Sequence, residues 1–254
     1  KKNIKKKKKR KGINVYTHSE MLPAHGYPEL RKFKHLKGNV GKAWFDQAKL
    51  MEKFTGTFVV NTNCIVPPKK DCSYLDRVFT HKIVGIEGST PIENYDFTEL
   101  IERTLACEPA NGVDLNEDTT LVTGHNYKTV LTLAPQILKA IEEEKIKQFF
   151  VVAGCDAPGK SGEYYRELTQ NLPKDTVILT SSCGKFRFND IDFGEIEGTG
   201  IPRYLDLGQC NDSYGAVEIA KALSDALKTP INDLPVSIVL SWMEQKAVII
   251  LLAL

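Results

Sequence analysis

Hydrophobic and polar positions along this chain switch between two periods. Short apolar runs of strand character occupy residues 13–16, 57–61, 149–153, 176–179, 203–206 and 236–240, and another short strand ends over 121–123. Helical spacing fills the intervals. It covers 41–54, with Trp44, Ala48, Leu50 and Met51 as core positions, then a helix capped by Asp96 that runs to Leu105. It returns over 129–144, over 162–170, and over 213–227 before Pro230 stops it. Met243 is predicted to start a last helix. Near-continuous apolar strands between helices predict mostly parallel sheets covered by helices on both faces, an α/β architecture. A domain boundary is placed near Asn126, at the turn before the long helix. This divides the chain into a basic segment (1–11), a first α/β domain (12–126) and a second (127–254).

Length and composition are those of an ordinary globular protein: 254 residues, 42% apolar and 26% charged. Charge changes the picture. The formal net charge is +2, yet residues 1–11 hold nine basic side chains and no acid, so the body of the chain is acidic. That argues against a nucleic-acid-binding body. The basic run reads as a solvated low-complexity segment. No apolar core follows it as a secretory signal would require, and no apolar stretch is long enough to span a bilayer. The expected location is the cytoplasm, with no membrane partner. The chain begins without Met and closes on a short apolar run, 247–254, that reads as the first turns of a buried helix. Both features suggest a processed or incomplete chain.

Six cysteines are scattered along the chain, which fits thiols, metal ligands or redox groups better than a disulfide framework. Four share one context, just beyond the carboxyl end of a predicted strand. They are Cys64 after Val59-Val60-Asn61, Cys155 after Val152-Ala153-Gly154, Cys183 after Leu179-Thr180-Ser181-Ser182, and Cys210 after Leu207-Gly208-Gln209. In open α/β sheets ligands bind outside the carboxyl ends of the strands. Thiolates converging there suit soft metal. Any one of them reads as an ordinary small buried residue; four in equivalent places favour a shared site. Cys72 and Cys107 lack this context and read as plain cysteines.

Two further segments follow strands. Glu244 lies beyond 236–240 among apolar neighbours and needs a partner: a salt bridge, a helix N-terminus or a metal. Lys246 is its candidate counter-ion or a proton donor. The segment Thr17-His18-Ser19-Glu20-Met21-Leu22-Pro23-Ala24-His25 carries two imidazoles and a carboxylate, and reads either as a hydrogen-bonded loop or as part of a site.

At these residues the chain resembles the hybrid-cluster proteins, the hydroxylamine reductase or prismane family. The strings that carry the resemblance are Val15-Tyr16-Thr17-His18 through His25-Gly26-Tyr27-Pro28, Asn61-Thr62-Asn63-Cys64-Ile65 and Ala153-Gly154-Cys155-Asp156. Cys183-Gly184-Lys185-Phe186-Arg187-Phe188-Asn189, Gly208-Gln209-Cys210-Asn211-Asp212-Ser213-Tyr214 and Trp242-Met243-Glu244-Gln245-Lys246-Ala247 follow in order. The resemblance implies two Rossmann-like α/β domains behind an N-terminal helical domain. It implies a hybrid cluster of four irons bridged by sulfur and oxygen, with Glu20, Cys64, Cys155, Cys183, Cys210 and Glu244 at the ligand positions and Cys155 at the position that carries a persulfide. Thiolates would suit the sulfide-rich irons and carboxylates the oxygen-bridged ones.

The activity so implied is two-electron reduction of hydroxylamine to ammonia and water, with nitric oxide as the other substrate considered. Electrons would come from an external donor protein, and protons from Lys246 or His18. The family's imidazole ligand and the cysteine motif of its conventional four-iron four-sulfur cluster fall before residue 1, so this chain by itself is expected to be catalytically incomplete. His18 or His25 is the candidate substitute for that imidazole. Two rivals are a nickel–iron–sulfur protein like carbon monoxide dehydrogenase, which the two carboxylates disfavour, and a cluster-free α/β module.

Overall fold

The computed structural model describes residues 12–61, 64–109, 121–123, 126–240, 248 and 252. Glu244, Lys246 and the helix predicted from Met243 lie outside them, as does the basic segment.

The first strands, β1 (Val15–Thr17) and β2 (Leu36–Asn39), pair in parallel. A 3-10 turn, Ser19–His25, and the short helix α1 (Pro28–Arg31) connect them. Where the spacing predicts one helix over 41–54, the chain forms a 3-10 turn, Trp44–Asp46, and then α2 (Gln47–Lys53). Gly41 and Lys42 are both left-handed (φ 64° and 67°), which keeps the start of that stretch out of the helix.

Strands β3 (Phe58–Val60), β4 (Val78–His81) and β5 (Thr90–Ile92) form a three-stranded parallel sheet. Its faces alternate as the pleat demands. Phe79 and Ile92 pack with Phe97, Leu100 and Ile101, the last two from α3 (Thr98–Ala106). Val60 and Val78 pack with Met51 and Tyr74 on the other side. The Asp96 carboxylate accepts from the Thr98 N–H (3.0 Å) at the start of α3, as the sequence suggests.

The predicted helix over 129–144 is two helices, α4 (Tyr127–Thr132) and α5 (Ala134–Glu142). Pro135 sits at the start of α5 and has no N–H to continue the ladder. The larger sheet follows, with β6 (Gln148–Ala153), α6 (Glu163–Asn171), β7 (Thr176–Ser181), the antiparallel pair β8 (Glu195–Ile196) and β9 (Ile201–Pro202), β10 (Tyr204–Asp206), α7 (Tyr214–Leu227) and β11 (Val236–Leu240). Its four strands run in parallel in the order β10-β7-β6-β11. Every residue of β7, an inner strand, is buried.

Side chains alternate across this sheet. Phe149, Val177, Leu179 and Leu205 face a core shared with Val130 and Ile137 of α4 and α5 and with Ile219 and Leu223 of α7. Val152 and Ile178 face the opposite way, against Leu172 and Phe188, with Tyr165 and Leu168 of α6 packed on them. Helices thus cover both faces, and all four strands end at one edge of the sheet. Among the described residues no helix is long and apolar enough to cross a membrane.

Candidate functional site

Three of the four strand-end cysteines emerge from that common edge. Cys155 lies two residues beyond β6, Cys183 two beyond β7, and Cys210 four beyond β10. Each is reached through a residue with positive φ: Gly154 (111°), Ser182 (70°) and Gly208 (108°). At Gly208 a side chain has no room, because a Cβ there would lie 2.5 Å from an Asp212 carboxylate oxygen. The turns are tied to one another. Gly184 N–H donates to the Gly154 carbonyl (2.8 Å), and Ser182 N–H donates to the Gly208 carbonyl (3.0 Å).

Cys64 arrives from the smaller sheet, beyond β3, with a left-handed backbone (φ 67°). Gln47 of α2 fixes this turn, donating to the Cys64 carbonyl (3.2 Å) and accepting from the Val66 N–H (2.8 Å). Glu20 comes from the 3-10 turn after β1 and accepts from the Asn211 N–H (3.1 Å), beside Cys210. Tyr27 donates to Asp212 (3.2 Å) and ties the same two segments.

The electrostatics show that these groups share one space. Burial, and then the neighbouring Cys64 and Cys155, push the Cys183 thiol up to about 12; Lys185 and a hydrogen bond with Ser19 act the other way. Burial also pushes Cys210 up to about 12, with Glu20, Cys183 and Cys155 adding to the rise and the Ser182 hydroxyl opposing it. At neutral pH these two thiols are protonated, and a bound cation would remove the penalty on their thiolates. None of the six cysteines forms a disulfide. Among the described residues no three His, Cys, Asp or Glu groups are placed to hold a single metal ion. Thiolates and a carboxylate brought near one another are the donor types that iron–sulfur clusters take.

Cys64 also borders a cleft of about 790 Å³ whose walls include Ile65, Pro67, Leu75 and Ile86. His18 is half-buried, and desolvation lowers its imidazole below the ordinary value; its Nε2 has no hydrogen-bond partner among the described residues. His25 is occupied differently. The Thr17 hydroxyl accepts from Asn39 (3.1 Å) and lies in hydrogen-bond contact with His25 Nε2 (2.7 Å), and the His25 ring also bonds the Gly38 backbone. His25 is thus a loop fastener. Cys72 flanks the Met51 and Tyr74 cluster, and the Cys107 thiol donates to the Arg103 carbonyl (3.2 Å). Neither joins the other four.

Supporting residues escaped the sequence reading. Lys185 is fully buried and ion-paired with the equally buried Asp206 (2.6 Å), and it also donates to the Gly208 carbonyl. Asp206 in turn accepts from the Gly208 N–H (2.8 Å) and the Thr123 hydroxyl (2.5 Å). Arg187 Nε meets both Asp156 carboxylate oxygens (2.7 and 2.8 Å) and joins the turn after β6 to the turn after β7. Part of the signal was available: Lys185, Asp206 and Asp156 lie within two residues of Gly208 or of a strand-end cysteine and Arg187 within four, but their pairing shows only in the fold.

Comparison with known proteins gives the chain's family. Residues 1–254 match the family model described as the prismane/CO dehydrogenase family. A protein named hydroxylamine reductase from Methanothermobacter thermautotrophicus is 49% identical over 243 residues, covering 96% of this chain and 55% of that protein. Its namesake from Moorella thermoacetica is 51% identical with the same coverage. The chain thus spans about half the length of these curated relatives. Among solved structures, carbon monoxide dehydrogenase IV from Carboxydothermus hydrogenoformans superposes with a TM-score of 0.70 at 16% identity, over 97% of this chain and 46% of that one. A nickel-free carbon monoxide dehydrogenase from Thermococcus sp. AM4 gives 0.72 at 16% identity, over 98% and 44%. These two share the fold. With the whole length matched by the family model and half its residues identical to relatives, the chain belongs to the prismane/CO dehydrogenase family.

Proposed function

We propose that this chain is the cluster-bearing part of an iron–sulfur oxidoreductase that reduces hydroxylamine to ammonia and water. The observation that carries the reading is the nearness of Cys64 and Cys155 to Cys183, and of Glu20, Cys155 and Cys183 to Cys210, on turns that come from five separate segments. In this reading Cys64, Cys155, Cys183, Cys210 and Glu20 would hold the cluster, with Glu244, outside the described residues, as the second carboxylate and Cys155 at the persulfide position. Such a hybrid cluster would supply the redox chemistry that breaks the substrate's N–O bond. The reaction consumes two electrons and two protons per hydroxylamine, the electrons arriving from an external donor protein.

The chain's own residues would do the rest. The cleft beside Cys64 has room for a molecule as small as hydroxylamine, and Lys70 and Glu87 join Ile65, Pro67 and Leu75 in lining it. His18, whose imidazole is lowered by desolvation, or Lys246 would supply the protons. The Lys185–Asp206 pair and the Arg187–Asp156 pair keep the cysteine turns in register.

The test is anaerobic reconstitution of the protein in its full reading frame with iron and sulfide, followed by ammonia measurement with hydroxylamine and a reduced viologen dye. Iron uptake with ammonia formation is the expected result. Iron uptake without ammonia would overturn the substrate assignment. The shared fold with carbon monoxide dehydrogenases favours one alternative, a nickel–iron–sulfur centre. Nickel required for activity would establish it, and the proposed reading predicts none.

A further inference from the structure

Each cysteine turn of the larger sheet places a positive-φ residue just beyond its strand, one or two positions ahead of the cysteine. Ahead of Cys155 and Cys210 the positive-φ position is a glycine, Gly154 or Gly208. Ahead of Cys183 it is Ser182, with φ 70° and ψ −166°, a combination that is essentially confined to glycine. A side chain here strains the backbone, and the residue is buried, so solubility does not explain it. Its hydroxyl lies 3.1 Å from the Cys210 Sγ, across the gap between two adjacent turns. With the thiol protonated, Cys210 donates and Ser182 accepts. With Cys210 as a metal-bound thiolate there is no S–H, and the hydroxyl must donate to sulfur.

We infer that Ser182 is a positioning residue whose O–H donates to the Cys210 thiolate, stabilising the reduced state of the metal centre and fixing Cys210 against the Cys183 turn. The inference rests on Cys210 being an iron ligand. Hydrogen bonds to ligand sulfurs disperse negative charge, and reduction adds negative charge, so each such bond raises the reduction potential. The strained Ser182 backbone persists because strands β7 and β10 and the Ser182 N–H bond to Gly208 fix the turn from both sides.

The experiment compares the anaerobically reconstituted full chain with Ser182→Gly and Ser182→Ala in three measurements: bound iron, reduction potential by visible-absorption titration, and thermal midpoint of the metal-free protein. Both variants should keep their iron and shift the potential to more negative values. Ser182→Gly should also raise the thermal midpoint by relieving strain, and Ser182→Ala should not. Iron-loaded variants with the wild-type potential would overturn the inference alone. A wild-type protein that takes up no iron would overturn the cluster reading and this inference with it. Variants that lose their iron would make Ser182 a requirement of assembly and overturn its electronic role.

Discussion

The two larger sheets bring thiols to the site in contrasting ways. The four-stranded sheet delivers three of them from adjacent, buried, parallel strands whose end turns bond to one another. The three-stranded sheet delivers only Cys64, on a turn held by the Gln47 side chain and bordering an open cleft. The difference teaches where precision and access come from. Strand pairing fixes Cys155, Cys183 and Cys210 in a shared register, while the Cys64 side leaves room for small molecules to enter. A centre placed between them has one rigid wall and one penetrable one.

The largest expected effect breaks the rigid wall from beneath. Lys185→Met leaves Asp206 as an unpaired buried carboxylate and should cost about 3–5 kcal/mol of stability in a urea titration of the metal-free chain. Adding Asp206→Leu should restore much of that loss, since burying neither charge removes the penalty. A double variant as unstable as the single one would mean that the Gly208 and Thr123 contacts of the pair matter more than its charges.

Next in size is Arg187→Ala, which removes a charged, two-pronged hydrogen bond to Asp156 from a mostly buried side chain. It should lose roughly 1.5–3 kcal/mol in the same titration. Gln47→Ala, which cuts the equivalent tie at the Cys64 turn through uncharged hydrogen bonds, should lose less, about 1 kcal/mol. The reverse order would invert the comparison.

The pH response sharpens it further. The buried thiols of Cys183 and Cys210 titrate at about 12 in the folded chain, while unfolded thiols titrate near 8.5. Between those values the unfolded state has lost protons that the folded state keeps. Stability of the metal-free chain must therefore fall as pH rises from about 8.5 toward about 12. The thermal midpoint should record that fall, and Cys183→Ser, which removes one of the two thiols, should make it shallower. The smallest effect is chemical. A thiol-alkylating reagent at neutral pH should label the half-exposed Cys72 and Cys107 first and reach the buried Cys155, Cys183 and Cys210 only after unfolding.

Much of this was legible in the sequence, for physical reasons. Residues 149–153 and 176–179 are apolar without alternation because their strands are buried on both faces, so strand and parallel sheet were both readable. The strand-end position of Cys155, Cys183 and Cys210 followed from the same runs. Strands β2, β4 and β5 were missed. Leu36-Lys37-Gly38-Asn39 is polar, and Thr90-Pro91-Ile92 carries a proline, so pairing within the folded chain overrides weak local signals. The break between α4 and α5 was marked by Pro135 and passed over because the apolar spacing runs through it. Lys185 and Asp206 were hidden for another reason: two charges 21 residues apart look solvated until the fold buries them together.

The central claim is that the strand-end cysteines act as one iron–sulfur site. Its most direct test is the iron and sulfide content of the anaerobically reconstituted chain beside four variants: Cys183→Ser, Cys210→Ser, Cys72→Ser and Cys107→Ser. The account predicts several irons per chain with visible sulfur-to-iron absorption in the wild type, little change in the last two variants, and loss of most iron in the first two. Equal iron in all five proteins, or none in any, would contradict it.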